Sequence, residues 1–315
     1  PPYILADISG NHNQNFQTAI DLIKATKDAG CDAVKFQTYK PEHLTMPNLG
    51  FYKGRELWEL YASICMPYEW YPALFNYAKS INLTAFTTVF NPEDVEWLEK
   101  LGCPAYKIGS YDINYLELLD TVRDTGKPVM ISTGCAMYSD LAFISIRFSA
   151  LNTILLKCVS SYPALPEMFN LKTIPDMKRE FGFDVGLSDH SIGGAVGIAS
   201  IALGAVAVEK HITLSKDTID GEFAFLPEEF KQFVEDCSIA WKALGSIDYG
   251  TPAKDRQYMR SLYAKKDIAK GERFTKDNIA LIRPNTGMSI KALNNFIDKR
   301  ASMDILKATP LHLRH

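Results

Sequence analysis

Short apolar runs rich in β-branched residues alternate with stretches whose apolar positions recur every three to four residues, from the start of the chain to Gly245. The first run, Tyr3 to Asp7, predicts a strand. Phe16 to Ala29, with Ala19, Ile20, Leu22, Ile23 and Ala29 at helical spacing, predicts a helix closed by Gly30. Ala33 to Gln37 reads as a second strand, followed by an insertion, Tyr39 to Ala62, rich in aromatic and turn residues. Helix Pro67 to Ser80, strand Leu83 to Thr88, a helix opening at Asn91-Pro92 and strand Pro104 to Ile108 come next. Helix Tyr115 to Asp124, strand Val129 to Ser132, a weak helix near Asp140 to Ser149, strand Thr153 to Cys158 and a helix around Asn170 to Glu180 continue the alternation. The series closes with strand Phe183 to His190, a small-residue helix within Ile192 to Gly204, strand Val206 to His211 and the amphipathic helix Pro227 to Leu244.

Eight strands, each followed by a helix, predict an α/β fold of the (β/α)8 TIM-barrel kind over residues 1–245. A doubly wound sheet would call for a Gly-rich dinucleotide loop after the first strand, and Ser9-Gly10-Asn11-His12-Asn13-Gln14 is not one. After Gly245 the composition turns polar and charged. A linker is expected over 246–257, and a small unit over 258–315 with a strand at Leu262 to Ala264, a turn at Lys270-Gly271-Glu272, and short helices near Thr275 to Ile279 and Ile290 to Ile297. So short a segment predicts little core of its own and docking onto a barrel.

Composition narrows the function. A chain of 315 residues with 47% hydrophobic and 23% charged residues is that of a globular protein. A net charge of −3 without a basic block points away from nucleic acid and anionic membranes, and no apolar run reaches membrane-spanning length. Six cysteines without CxxC spacing read as reduced thiols of a cytoplasmic protein.

A barrel of this kind carries its chemistry at the carboxyl ends of its strands. There the chain places Asp7 with Asn11-His12-Asn13, Lys35 and Gln37, Thr87-Thr88, Lys107 and Ser110, Ser132-Thr133-Gly134, Lys157 to Ser161, Ser188-Asp189-His190 and Glu209-Lys210-His211. Individually such hydroxyls serve turns, and a pair of histidines has uses besides metal binding. His190 and His211, at adjacent parallel strand tips, form a half-site for a divalent metal if carboxylate or water completes it. Lys35 and Lys107, inside apolar strands, need anions. Asp7 or Glu209 could pair with them structurally, or the lysines could cradle a phosphate and a carboxylate. A Schiff-base aldolase would instead use one lysine as nucleophile.

The stretches Ile4 to Asn13, Ala33 to Lys40, Ala105 to Ser110, Ile131 to Gly134, Gly186 to His190 and Glu209 to Thr213 together resemble the sialic acid synthase family. Leu281-Ile282-Arg283-Pro284 and the Lys270-Gly271-Glu272 turn resemble that family's antifreeze-like (SAF) domain. Asn11 to Gln14, Gln37 to Glu42, Leu57 to Tyr61 and Glu69-Trp70 are most similar to pseudaminic acid synthases. The resemblance implies metal-dependent condensation of phosphoenolpyruvate with the open-chain aldehyde of an N-acetylated amino sugar, a 6-deoxy diacetamido-altrose, with release of phosphate. An N-acetylneuraminate or legionaminate synthase, or a relative with impaired catalysis, is the alternative.

Matched by position, the resemblance implies that Asp7, Lys35 and Lys107 are catalytic, and that Lys35, Thr88, Lys107, Ser110, Ser132 and Ser188 hold phosphoenolpyruvate, with Ser160 and Phe90 also at the substrate. His190 and His211 would bind Mn²⁺, or Mg²⁺ or Co²⁺, with Asp220 reaching the ion through water. Gln37 and Tyr162 would line the sugar site, and Arg283 would come from the partner in a domain-swapped homodimer. One departure stands out. The family usually has Glu where this chain has Asp7, one methylene shorter.

Overall fold

The structure, a computed structural model, describes residues 1–52, 54–250 and 253–315. It divides into two compact units, Pro1–Gly245 and Ser246–His315. In the first, eight parallel strands close into a barrel: β1 Tyr3–Asp7, β2 Ala33–Thr38, β3 Thr84–Val89, β4 Tyr106–Ile108, β5 Val129–Ser132, β6 Thr153–Cys158, β7 Asp184–Asp189 and β8 Ala207–His211. Each strand pairs with its neighbours in sequence, and β1 closes the ring against β8, with Asp7 opposite His211. The helices that follow the strands are α1 Phe16–Asp28, α2 Tyr71–Ser80, α3 Pro92–Lys100, α4 Leu116–Asp124, α5 Tyr138–Arg147, α6 Thr173–Phe181, α7 Ala195–Ala202 and α8 Pro227–Leu244.

Local chemistry sets these boundaries. Asn15 Oδ1 accepts from Thr18 N at the start of α1, and Asn91 Oδ1 accepts from Glu93 N ahead of Pro92 in α3. Helix α5 starts at Tyr138, ahead of the expected Asp140, because Asp140 Oδ2 takes the Met137 N–H and so caps the helix from inside its first turn. Gly186 lies close against both neighbouring strands. A Cβ there would sit 2.6 Å from the Ala207 carbonyl oxygen and 2.7 Å from Leu156 Cδ2.

The insertion after β2 is more ordered than its turn-rich sequence suggests. It holds a short helix Pro41–Leu44, a two-stranded hairpin Phe51–Tyr52 with Arg55–Glu56, and a helix Leu57–Ile64 that runs past the expected end at Ala62. Lys53 in this insertion, and Thr251 and Pro252 in the linker expected over 246–257, lie outside the described residues. A short helix, Ala253–Arg256, falls in that linker span.

The second unit corrects two expectations. Thr275 to Ile279 is a turn and not a helix, because the Asn278 side chain accepts from Thr275 N and donates to Arg273 O, satisfying backbone groups a helix would need. The β-branched residues beyond it form a strand, β10 Ile279–Ile282, antiparallel to β9 Ser261–Ala264. The second helix is a 3₁₀ turn, Ile290–Asn295. This unit also has its own core, in which Leu262, Phe274, Phe296, Ile305 and Leu311 are buried and the Phe274 and Phe296 rings meet edge to face at 5.4 Å.

Candidate active site

Because side chains alternate along a strand, only every second polar residue at the strand ends can enter the barrel. Asp7, Lys35, Gln37, Thr88, Lys107, Ser188, Glu209 and His211 do so at the carboxyl-terminal mouth, where Asp7, Lys35, Gln37 and Thr88 form one hydrogen-bonded cluster, Lys107, Ser188 and Glu209 form a second, and His211 Nε2 lies 3.6 Å from Asp7 Oδ2. Thr87 faces outward to Thr38 and Tyr71 of α2, and Asp189 and Lys210 pair behind the barrel wall, where Asp189 Oδ2 lies 3.4 Å from a Cβ built on Gly197 of α7. Lys157 donates to the Cys158 carbonyl.

Both buried lysines rest on carboxylates. Lys35 Nζ donates to Asp7 Oδ2 at 2.6 Å and to Thr88 Oγ1 at 2.7 Å, while Gln37 Nε2 donates to the same Asp7 oxygen at 3.0 Å. Lys107 Nζ spans both oxygens of Glu209, at 3.0 and 2.9 Å, and Ser188 Oγ donates to Glu209 Oε1 at 3.0 Å. Burial works against the charge on Lys35, but Asp7 and Glu209 outweigh it and its pKa is raised. Burial likewise opposes the Glu209 carboxylate, and Lys107 and Lys35 hold it well below the ordinary range. An ammonium has three donors, so Lys35 keeps one N–H beyond Asp7 and Thr88.

Each of the two histidines turns Nδ1 to a protein oxygen. His190 Nδ1 lies 2.9 Å from the Val159 carbonyl oxygen, which only accepts, so Nδ1 carries the proton. His211 Nδ1 lies 2.8 Å from Asp220 Oδ2, and its Nε2 is 3.6 Å from Asp7 Oδ2. Burial lowers the His211 pKa, yet the Asp220 and Asp7 carboxylates more than reverse this. The ring centroids are 5.3 Å apart. With each Nδ1 directed to protein, the Nε2 atoms are the ones left to bind a cation, the pattern in which an oxygen on the far nitrogen orients a metal-binding histidine. Among the described residues no three His, Cys, Asp or Glu side chains form a metal-binding group, so a metal here would have two protein ligands and take the rest from water or substrate.

Asp220 accepts at the back of the His211 ring, and Asn11 Oδ1 accepts its backbone N–H at 3.2 Å. His12 stays out of the site: Nδ1 accepts from Gln14 N, the ring meets Trp70 edge to face, and burial holds its pKa at about 4, so it is neutral.

The opposite wall is a cradle built around Gly134. Its N–H donates to Ser110 Oγ at 3.0 Å, and a Cβ on it would collide with Ser160 Oγ and approach Cys158 Sγ. Ser132 Oγ is buried with no partner among the described residues, a deficit of about 1–3 kcal/mol that an anionic ligand would relieve. Tyr162 stacks on His190 at 4.3 Å, and Phe90 meets Tyr39 at 5.2 Å. Arg283 belongs to the second unit, where it lines a pocket with Arg260 and Ile282.

Two residues at the mouth, Phe223 and Asp112, escaped the sequence reading, and a third, Cys158, was named only within the Lys157 to Ser161 strand end. Phe223, in the loop after β8, packs on His190, His211 and Tyr162; it lies outside any strand, and nothing in its sequence context marks it. Cys158 Sγ is 4.0 Å from His190 Nδ1, although strand context alone makes it a core thiol. Asp112, in the turn after β4, is a carboxyl whose side chain has no hydrogen-bond partner among the described residues, and burial raises its pKa to about 7. Its place two residues beyond Ser110 was the available signal.

A NeuB family model matches residues 22–249, and a SAF domain model matches 259–314. The chain is 38% identical to a pseudaminic acid synthase of Campylobacter jejuni over 96% of this chain and 93% of that protein. It is 37% identical to the pseudaminic acid synthase of Helicobacter pylori, over 99% and 96%. A crystal structure of an N-acetylneuraminic acid (sialic acid) synthetase from Leptospira borgpetersenii, in complex with citrate, aligns with a TM-score of 0.75 at 30% identity, covering 81% of this chain and 89% of that one.

Proposed function

The chain belongs to the NeuB family, and from that premise we propose that it condenses phosphoenolpyruvate with the open-chain aldehyde of a diacetamido-trideoxy sugar, giving a nine-carbon nonulosonic acid and inorganic phosphate. The relatives' names support the synthase class; those at 37–38% identity make a pseudaminic-type acceptor the first choice over neuraminate or legionaminate precursors. The observation that carries the reading is the pairing of two imidazoles, each with Nδ1 directed to a protein oxygen, with two buried lysines on the same barrel mouth.

Charge explains why these parts belong together. Lys35 and Lys107 are matched by Asp7 and Glu209, and His211 is matched by Asp220, so the buried set carries no surplus positive charge. A trianionic substrate would enter such a site only with added positive charge. A divalent ion held by the Nε2 atoms of His190 and His211, Mn²⁺ first and Mg²⁺ or Co²⁺ as alternatives, would supply that charge and polarise the aldehyde oxygen.

The chain's own residues do the rest. Lys35, beside Thr88, and Lys107 supply N–H groups to the phosphate and carboxylate, with Ser188 holding Glu209 beside Lys107, while Ser110, Ser132, Ser160 and the Gly134 region form the other wall. The enol carbon of phosphoenolpyruvate forms the new bond to the aldehyde carbon, water adds to the adjoining carbon, and that carbon's bond to the phosphate oxygen breaks. Asp7, which accepts from Lys35 and lies 3.6 Å from His211 Nε2, takes one proton from the water and passes it on to the former aldehyde oxygen, which becomes a hydroxyl, and the second water proton leaves with the phosphate. Gln37, Tyr162 and Phe90 line the acceptor side, and Arg283 reaches the N-acyl group from a partner chain.

The test is phosphate release in parallel assays with the diacetamido sugar and with N-acetylmannosamine, read together with product mass. Release that needs acceptor and Mn²⁺ and stops with chelator is expected. Release insensitive to chelator, with a lysine trapped by borohydride, would replace the proposal by Schiff-base chemistry.

A further inference from the structure

Behind the barrel wall, away from the substrate side, Asp189 and Lys210 form an ion pair with no solvent exposure. Buried pairs of this kind can often be replaced by apolar residues without loss of stability, so stability alone does not account for one. Its position does. Strands β7 and β8 run in register, Ser188 beside Glu209 and Asp189 beside Lys210, and the next residues are His190 and His211.

The bonds close around His190. Ser191 N and Oγ donate to Asp189 Oδ1 at 2.9 and 2.6 Å. Lys210 Nζ donates to Asp189 Oδ2 at 3.1 Å and to the Ser191 carbonyl at 2.7 Å, with its charge 4.7 Å from the Phe225 ring centroid. The residues on both sides of His190 are thereby tied to the residue just before His211. We propose that Asp189 and Lys210 are positioning residues: they set the spacing of the His190 and His211 rings, now 5.3 Å between centroids, and through it the affinity for a divalent ion. This rests on the proposed role of the two histidines.

The test is direct binding of Mn²⁺ to full-length protein without substrates, read by the paramagnetic resonance of free Mn²⁺, with thermal unfolding measured alongside. Lys210→Met should weaken binding about ten- to a hundredfold, the range found when groups that orient metal ligands are removed. Because that change leaves a buried carboxylate unpaired, the double variant Asp189→Asn/Lys210→Met is the deciding one. It should regain most of the lost unfolding temperature while keeping the weakened Mn²⁺ affinity. A folded double variant with wild-type affinity overturns the positioning role alone. Wild-type protein that binds no Mn²⁺ overturns the metal role of the histidines, and this inference with it.

Discussion

At the first strand's tip stands Asp7, the carboxylate proposed to take the proton from water. It accepts from Lys35 and Gln37 and lies 3.6 Å from His211 Nε2. Replacing Asp7 with Ala should lower kcat by about 10²–10⁴-fold, the usual worth of a positioned acid or base, and near-native turnover in that variant would remove Asp7 from the mechanism. Asp112 gives a pH signature. Burial raises its folded-state pKa from 3.8 to about 7, so the folded protein holds this proton more tightly than the unfolded chain. The contribution is complete below the unfolded value and is lost as pH rises through the folded one. Between about pH 5 and pH 7.5 the unfolding temperature of wild type should therefore fall by a few degrees more than that of Asp112→Asn. Equal slopes would mean the carboxyl is not held protonated. At this scale the sequence was informative about residue types and silent about direction. Asp7, Lys35 and His211 were legible because a charge inside an apolar strand needs a reason, whereas Asp189 and Lys210 carry the same signal and face the other way.

The elements were easier to read than their edges. A fixed unit length is not needed for a barrel, only the repeated switch from period two to period 3.6, and that switch is visible from Tyr3 to Leu244. What sequence periodicity missed is capping by side chains three residues away, as with Asp140 and Asn278, because such bonds redirect a segment without altering its apolar pattern. Gly186 shows an element constrained by its neighbour. Gly186→Ala places a methyl 2.6 Å from the Ala207 carbonyl and should cost about 1–3 kcal/mol, a fall of roughly 5 °C in Tm, measurable by thermal unfolding. An unchanged Tm would mean that β7 and β8 can part without penalty, which their shared hydrogen-bonded register argues against.

For the whole molecule, the two units have separate cores, and the proposed role of Arg283, in the second, at a barrel mouth is open to a complementation test. If the site takes Arg283 from the partner in a domain-swapped homodimer, Asp7→Ala and Arg283→Ala chains, each inactive alone, should complement when refolded together, since a mixed dimer has one intact site. Random pairing predicts about a quarter of the wild-type activity; none at all would place Arg283 in its own chain's site, and an active Arg283→Ala protein would place it outside catalysis. No helix among the described residues is long and apolar enough to cross a membrane. The central claim is the condensation itself, and the most direct measurement uses phosphoenolpyruvate with a heavy-oxygen label in the bridge between carbon and phosphorus, supplied with the diacetamido sugar and Mn²⁺. The account predicts that the label leaves in the inorganic phosphate and that the product has the mass of a nine-carbon keto acid lacking the label. Label retained in the product, or phosphate formed without the sugar, would contradict it.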